Sequence, residues 1–233
     1  MSTTKPFKTC YLHIGAEKTG TSTLQRFLRL NRQRLLEAGA YFPESIGEEN
    51  HTPLACYAQA TMREHNFLRG IFGITDEEAL RVYQADVRQA LLAELAQVPT
   101  SAHTLILSSE HCQTRVTAAD DVTRLKVLLD EVADSVRIIF YLRRQDRVAA
   151  SVFSTALKVG FQLRSPDLGF GPEATRFNYW NTCQLYEAAF GQQNLDIGIY
   201  ETASYAPGGL TRDFCARMGL SGHNDWERPE RKN

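Results

Sequence analysis

Apolar residues along the chain follow two alternating patterns, short unbroken runs and longer stretches with helical spacing. The runs lie at 10–14, 104–107, 136–142 and 195–200. Helical spacing is clearest over 76–97, where one apolar stripe recurs at every third or fourth position. Buried strands that alternate with helices are typical of a parallel sheet covered on both faces, so the pattern predicts an α/β fold.

The same spacing predicts further helices between the strands. They are expected at 22–37, 51–65, 117–132, 145–158, 173–190 and 210–218. Gly39 and Gly160 mark two helix ends, because glycine readily adopts the left-handed backbone that follows many helices. The stretch 160–172 holds three glycines and two prolines and is expected to be a loop. No repeat or low-complexity linker divides the chain, so we predict a single domain over 1–233.

Composition excludes several classes of protein. The contents of 43% hydrophobic and 23% charged residues are ordinary for a globular domain. A formal net charge of −1 gives no general affinity for nucleic acid or membrane surfaces, so an anion site must be built locally. Five cysteines without C-x-x-C spacing argue against a disulfide framework and a zinc site. With no apolar signal region or span, we expect a cytoplasmic protein.

The most informative stretch is 10–28, which reads CYLHIGAEKTGTSTLQRFL. An apolar run leads into a loop bounded by Gly15 and Gly20, and a helix is predicted directly after it. The first N–H groups of a helix have no intrahelical partner, and this end of the helix is partly positive, so it attracts anions. Lys18 adds a full charge, and the hydroxyls of residues 21–23 add hydrogen-bond donors. This stretch is therefore predicted to hold a phosphate.

The order of residues in this loop differs from that of an ATP-binding loop. A Walker A motif reads G-x-x-x-x-G-K-[ST], with its lysine after the second glycine. Here Lys18 comes before Gly20. A magnesium-dependent kinase also needs an acid at the end of a core strand, whereas two arginines follow the strand at 136–142. A nucleotide kinase that recruits Glu110 for the metal remains one alternative, and a non-catalytic nucleotide-binding module is another.

Two further polar clusters follow predicted strands. Arg143 directly follows the strand at 136–142, and Ser151 lies eight positions later in the next helix. A guanidinium group matches the oxygens of a phosphate, and a serine hydroxyl can add a further bond. Residues 109–111 follow the strand at 104–107 in the same way. Ligands of such sheets bind beyond the carboxyl ends of the strands, so we expect the three clusters to share one rim.

Residues 18–24 resemble the 5′-phosphosulfate loop of sulfotransferases that use 3′-phosphoadenosine 5′-phosphosulfate, which has the form K-[TS]-G-T-[TS]-x-L. The spacing of Arg143 and Ser151 resembles the motif that holds the 3′-phosphate of the donor in that family. Gln145 and Phe153 replace its usual proline and tyrosine, in a form closer to bacterial members. The likeness covers most of the chain but is specific only at these two motifs. It implies a P-loop-like three-layer sandwich, with helices on both sides of a mostly parallel sheet of about five strands.

The resemblance also implies roles for individual residues. The donor would leave as adenosine 3′,5′-bisphosphate, and the scheme needs no metal ion. Lys18 would stabilise the charge that grows on the leaving phosphate, and Arg143 and Ser151 would bind the 3′-phosphate. The residues implied in binding the phosphosulfate are Lys18, Thr19, Gly20, Thr21, Ser22 and Thr23.

Sulfuryl transfer needs a base that removes the proton of the acceptor, and Glu110 and His111 are the candidates. Members of the family carry His or Glu at the end of the strand before the arginine strand, and Glu110 lies there. Strand alternation prevents both residues from facing the same side, and we favour Glu110. His51, at a predicted helix start, is a weaker third candidate. His13 is expected to be a core histidine.

The acceptor is the least defined part of the prediction. We expect a hydroxyl or amine on a small molecule or glycan, of carbohydrate-containing type, and no nucleic-acid partner. Arg26, Arg29 and Arg164 would suit an acidic acceptor, although solvated arginines account for them equally well. Arg228, Arg231 and Lys232 would suit the 3′-phosphate, as a basic C-terminal segment does in some relatives.

Overall fold

The structure, a computed structural model, describes residues 5–62, 67–158, 160, 174–220 and 225–229 of the chain. Its strands are β1 (Phe7–His13), β2 (Ala40–Tyr41), β3 (Thr104–Ser108), β4 (Ala133–Leu142) and β5 (Leu195–Ile199). They form one sheet in the order β2-β3-β1-β4-β5, and every neighbouring pair is parallel. The predicted parallel sheet of about five strands is confirmed.

Helices connect the strands and cover both faces of the sheet. They are α1 (Thr21–Leu30), α2 (Arg32–Glu37), α3 (Thr52–Ala58), α4 (Phe67–Phe72), α5 (Glu77–Leu95), α6 (His111–Arg115), α7 (Ala119–Val132), α8 (Gln145–Lys158), α9 (Tyr179–Phe190), α10 (Tyr200–Tyr205) and α11 (Gly209–Arg217). A 3-10 turn, Gln192–Asn194, precedes β5. Helix α8 has the predicted bounds, and Asp76 caps α5 by accepting a hydrogen bond from the N–H of Ala79.

Successive side chains of the central strands point to opposite faces of the sheet and belong to separate cores. On one face, Leu12 and Leu107 pack in a cluster that includes Leu128 of α7. On the other face, Tyr11 and Phe214 belong to a cluster formed with α1 and α11. This arrangement of two cores around one sheet is the predicted three-layer sandwich.

The predicted helix over 22–37 is wrong in one respect, because the chain forms two helices with a break at Asn31. The buried Asn31 side chain donates hydrogen bonds to Phe27 O and Glu227 O, both at 2.8 Å, and accepts one from Glu227 N at 2.9 Å. These bonds attach the break to the C-terminal segment. Gly39 then turns the chain with a φ of 77°, as predicted for a helix end.

Other boundaries also differ from the predictions. The helix predicted over 51–65 is α3 alone among its described residues, and 63–66 lie outside them. The helix predicted from 173 begins at Tyr179, and the predicted loop over 160–172 lies outside the described residues apart from Gly160. Four short elements were not predicted. They are β2, α4, α6 and α10.

Candidate functional site

Three predicted clusters follow neighbouring strands in the middle of the sheet. The loop at 15–20 follows β1, Glu110 follows β3, and Arg143 follows β4. His13 at the end of β1 pairs in register with Ser108 of β3, so the strand ends are level. The expectation that the clusters share one rim is therefore confirmed for the 15–20 loop, Glu110 and Arg143.

A cleft of about 380 Å³ opens at this rim. The residues that line it are Glu17, Lys18, Gly20, Thr21, Ser22, Thr23 and Glu110. Five of them belong to the predicted phosphosulfate-binding set, and Glu110 is the favoured base. Six of the seven lining residues have polar or charged side chains, which suits an ionic or hydroxyl-rich ligand better than an apolar one.

The 15–20 loop needs glycine at both of its ends. Gly15 and Gly20 have φ angles of 48° and 75°, in the left-handed region. A Cβ atom on Gly15 would lie 2.6 Å from Thr21 Cγ2, and one on Gly20 would lie 2.6 Å from Leu210 Cδ2. Both positions therefore exclude a side chain by conformation and by space, so that the backbone can turn tightly into α1.

Helix α1 begins directly at the cleft. Its first intrahelical bonds are donated by Thr23 N and Leu24 N to Gly20 O, at 3.0 and 3.1 Å. The N–H groups of Thr21 and Ser22 lie at the start of the helix, where no preceding turn offers them a carbonyl acceptor. The helix mouth thus offers backbone donors and partial positive charge to an anion in the cleft.

Lys18 connects the loop to α8. Its ammonium Nζ donates to Thr155 Oγ1 at 2.8 Å, and that hydroxyl donates to Ser151 O at 3.0 Å. Lys18 also has a φ of 66°, a left-handed conformation that is unfavourable for a residue with a side chain. The predicted residues Lys18 and Ser151 are thereby brought near one another. Thr155, the link between them, was missed, and its only sequence signal is its place one helical turn after Ser151.

Arg143 lies against the same loop. Its Nη1 donates to Lys18 O at 2.7 Å, its Nε pairs with Glu201 Oε1 at 3.2 Å, and its guanidinium lies 5.0 Å from the centroid of the Tyr200 ring. These contacts hold a partly buried guanidinium beside the cleft. The sequence indicated Arg143 as an anion ligand but not Glu201 as its acidic partner.

Glu110 is fixed through one of its two carboxylate oxygens. Its Oε2 accepts hydrogen bonds from Gln25 Nε2 at 2.8 Å and from Asn50 Nδ2 at 3.0 Å. Among the described residues, no hydrogen bond is made to Oε1. Gln25 and Asn50 were not indicated by the sequence analysis, because neither belongs to a motif.

The histidines differ in their access to the cleft. His111 begins α6, and burial lowers its pKa while the neighbouring Glu110 opposes that shift. It does not belong to the described lining of the cleft. His51 is fully buried, and burial lowers its pKa to about 4. Its Nε2 contacts Pro43 O at 3.1 Å and its Nδ1 accepts from Ser108 N at 3.2 Å, so both nitrogens are occupied within the protein.

His13 is a core histidine, as expected. Its Nδ1 bonds Ser108 Oγ at 2.8 Å, and the edge of its ring packs against Phe214. Complete burial lowers the pKa of His13 to about 3. Its Nε2 has no hydrogen-bond partner in the described part of the chain, so only one of its two nitrogens is satisfied.

Glu17 forms an ion pair that the sequence did not indicate. Its Oε2 lies 2.9 Å from Nε of Arg176, which precedes α9. Glu17 lines the cleft beside Lys18, so Arg176 compensates an acidic side chain within the loop. No sequence signal points to this pair, because 159 positions separate the two residues.

Several residues singled out from the sequence do not line the cleft, and others lie outside the described residues. Thr19 is buried, and its Oγ1 donates to Ala16 O at 2.6 Å, so its hydroxyl closes the loop from within. Arg26 and Arg29 pair with Glu49, at 3.9 and 2.6 Å. Arg228 is exposed. Arg164, Arg231 and Lys232 lie outside the described residues.

The described ranges contain neither a metal-ligand cluster nor a membrane-spanning helix. No group of three or more His, Cys, Asp or Glu side chains in these ranges is arranged to hold a metal ion. None of the helices that the structure describes combines the length and apolar character needed to cross a bilayer.

Comparison with known proteins identifies the fold. Neither a protein-family model nor a curated protein matches the chain. The structure is similar to the crystal structure of a sulfotransferase from Alicyclobacillus acidocaldarius, with a TM-score of 0.57 and 15% identity over 96% of this chain and 85% of that one. It is also similar to the sulfotransferase domain from the curacin biosynthetic pathway, with a TM-score of 0.52 and 10% identity over 99% of this chain and 80% of that one. This chain therefore has a sulfotransferase-type fold.

Proposed function

We propose that this protein is a sulfotransferase that moves a sulfuryl group from 3′-phosphoadenosine 5′-phosphosulfate to a hydroxyl or amine of a carbohydrate-containing acceptor. The observation that carries the proposal is that Lys18 and Glu110 line one cleft while Arg143 bonds the backbone of Lys18 beside it, each residue following a neighbouring strand. A cation, a carboxylate and an anion-binding helix mouth are the groups that this reaction requires.

The residues present fit both ends of the donor. The 5′-phosphosulfate suits the helix mouth, where Thr21 and Ser22 offer N–H groups and hydroxyls beside Lys18. The 3′-phosphate suits Arg143 and Ser151. In the described residues Nη2 of Arg143 makes no hydrogen bond, so it remains open for a phosphate oxygen while Nη1 and Nε hold the side chain in place.

The mechanism follows from the positions of these groups. The acceptor oxygen or nitrogen attacks sulfur, and a bond to sulfur forms as the bond between sulfur and the bridging phosphate oxygen breaks. Glu110 takes the proton of the acceptor, and the electron pair of the broken bond stays on the leaving adenosine bisphosphate. The Lys18 ammonium stabilises that growing negative charge after exchanging its bond to Thr155 for one to the donor.

His111 is the second candidate for the base. Burial lowers its pKa, so its imidazole is neutral at neutral pH and able to accept a proton. Glu110 is nevertheless favoured, because it lines the cleft and His111 does not belong to the described lining. The choice is tested below by substitution of each residue.

A carbohydrate-containing acceptor suits the polar lining of the cleft. The exposed hydroxyls of Ser22 and Thr23 and the carboxylates of Glu17 and Glu110 can all bond the hydroxyl groups of a sugar. An acceptor screen with hydroxyl and amine compounds, using donor labelled in its sulfuryl group, tests this part of the proposal. Transfer confined to apolar phenols would contradict the carbohydrate assignment.

Donor identity is tested by calorimetry with adenosine 3′,5′-bisphosphate and, separately, with ATP and Mg²⁺. We expect the bisphosphate to bind without added metal, and Arg143→Ala to weaken its binding by at least about tenfold, because a charge-assisted contact is lost. Arg144→Ala is the matched control, since Arg144 is exposed and pairs only with Asp146 among the described residues. Preference for ATP with Mg²⁺ would favour a kinase instead.

Catalysis is tested by label transfer in variants. We expect Lys18→Met and Glu110→Gln each to reduce transfer by about 100-fold or more, through lost charge stabilisation and lost proton removal. His111→Gln should have a much smaller effect, and exposed Lys8→Met is the control for loss of a lysine. Donor binding without transfer to any acceptor in a broad panel would instead support a non-catalytic nucleotide-binding module.

A further inference from the structure

Two neutral amides contact the same oxygen of the candidate base. Gln25 lies on α1 and is 3% exposed, and Asn50 lies two residues before the start of α3. Their side-chain nitrogens lie 2.8 and 3.0 Å from Oε2 of Glu110. Two elements that are distant in sequence thus converge on one carboxylate at the wall of the cleft.

This convergence determines how the carboxylate is oriented. The terminal torsion of a glutamate side chain has broad minima, so an unrestrained carboxylate rotates freely. Two donors on Oε2 fix the plane of the group, since hydrogen bonds to an ionised acceptor are stronger than those between neutral groups. The other oxygen, Oε1, keeps its lone pairs, because no described residue bonds it.

The chemical nature of the two partners matters as much as their position. Glu17 and Lys18 line the same cleft as Glu110, and His111 follows Glu110 at the start of α6. A cationic partner for Glu110 would add positive charge that competes with Lys18 for the anionic donor. Amides orient the carboxylate without adding charge, so the single lysine remains the positive side chain among the residues that line the cleft.

The position of Asn50 beside Glu110 is unfavourable for folding in one respect. Its Oδ1 is buried and has no hydrogen-bond partner among the described residues. Buried polar atoms are usually paired, and an unpaired one is unfavourable for folding. The bond from its Nδ2 to Glu110 is the side-chain contact that the structure gives Asn50 in compensation.

We propose that Gln25 and Asn50 are positioning residues that hold Oε2 of Glu110, so that Oε1 is the atom that takes the proton of the acceptor. The inference rests on the proposed sulfotransferase function and adds to it the identity of the accepting atom and of the residues that orient it. Neither amide contacts the donor-binding loop through a described hydrogen bond, so the effect is specific to the base.

The kinetic test uses Gln25→Met, which keeps the length of the side chain and removes the amide. We expect kcat to fall about tenfold while the KM for the donor stays unchanged, because orientation of the base is lost and the donor site is not. Gln84→Met is the matched control, since Gln84 is equally a buried glutamine but bonds the backbone of Tyr57 and Gln59. Asn50→Leu should act in the same direction as Gln25→Met.

A double-mutant cycle with Glu110→Gln separates positioning from a general structural effect. In the Glu110→Gln background, Gln25→Met should produce no further loss of residual transfer, because its effect passes through the carboxylate. An equal loss in both backgrounds, an unchanged kcat in Gln25→Met, or a raised donor KM would overturn the proposal. Unchanged bisphosphate binding and thermal unfolding verify that the variants are folded.

A second readout does not depend on activity. In ¹⁵N NMR spectra, the side-chain amide signals of Gln25 should move in Glu110→Ala, whereas those of Gln84 should not. Unchanged chemical shifts of the Gln25 side-chain amide in Glu110→Ala would overturn the positioning contact even if transfer is observed. Absence of transfer by the wild-type protein would overturn the proposed function separately, and with it the assignment of Oε1 as the proton acceptor.

Discussion

At the scale of single residues, Glu17 carries a negative charge where an anionic ligand is proposed to bind. It lies next to Lys18 in the loop proposed to bind an anionic donor, and it lines the cleft. Arg176 neutralises it through the ion pair of 2.9 Å. Because both side chains are partly buried, the pair is screened less than a surface pair would be. The loop therefore presents the charge of Lys18 to a ligand without opposition.

Removal of Arg176 should leave the charge of Glu17 uncompensated beside Lys18. We predict that Arg176→Ala weakens binding of adenosine 3′,5′-bisphosphate by about fivefold to tenfold, because an uncompensated carboxylate then lies beside the phosphate site. Isothermal titration calorimetry measures the change. The double variant Glu17→Gln with Arg176→Ala should recover most of the lost affinity. No recovery would show that Arg176 acts in another way, for example by direct contact with the ligand.

The positions of residues at the cleft could be predicted from the sequence where the signal was local. Lys18 and Glu110 follow predicted strands, and their place at the cleft could be expected from the rule that parallel strands end at one rim. Gln25, Thr155 and Arg176 could not be found in this way. Their partners lie 85, 137 and 159 positions away, and only the folded chain brings such pairs together.

At the scale of secondary-structure elements, the break between α1 and α2 is the clearest departure from the sequence pattern. Apolar spacing continues across 22–37, and the pattern alone therefore indicates one helix. The break depends on Asn31, which bonds Glu227 across 196 positions. A two-residue strand such as β2 is missed for a simpler reason, because it is too short to show a period.

Substitution of Asn31 should destabilise the protein and leave the residues of the cleft unchanged. We predict that Asn31→Ala lowers the free energy of unfolding by about 2 to 3 kcal/mol, because it leaves the N–H and the carbonyl of Glu227 without their partner and removes the side-chain bond to Phe27 O. Urea unfolding measures the loss. Exposed Gln33→Ala is the control and should change stability by less than about 0.5 kcal/mol. Equal stability of the two variants would contradict this role for Asn31.

At the scale of the whole molecule, the alternation of apolar runs and helices was sufficient to predict a parallel sheet covered on both faces. The order of strands was not predictable from that pattern, because it depends on pairings such as β1 with β4, which are distant in sequence. Stability as a function of pH is likewise a property of the whole fold. It depends on His13 and His51, which both lie in the interior.

Acid should weaken the folded state through these two histidines. Burial lowers their pKa values to about 3 and about 4, from 6.5 in the unfolded chain. Below pH 6.5 the unfolded state therefore binds protons that the folded state excludes, so this contribution to stability is complete above pH 6.5 and declines as the pH falls toward 4. We predict a loss of about 1.6 kcal/mol for each histidine between pH 6.5 and 5, measured by urea unfolding.

An independent measurement can assign this loss to the histidines. NMR spectra of protein labelled in its histidine rings should show two imidazoles that remain neutral at pH 5, where exposed histidines are charged. A free energy of unfolding that stays constant between pH 6.5 and 5 would contradict the prediction.

Lys18 has a left-handed backbone, with a φ of 66°, that lowers the stability of the fold at a residue that the proposed reaction needs. Lys18→Gly removes the steric conflict and Lys18→Ala retains it, while both remove the ammonium. We predict that Lys18→Gly is more stable than Lys18→Ala by about 1 kcal/mol and that both lose transfer by about 100-fold or more, as compared by thermal unfolding and label transfer. Equal melting temperatures would mean that the loop relaxes once the lysine is gone. Selection for thermal stability alone would therefore favour glycine here, and only selection for turnover would keep the lysine.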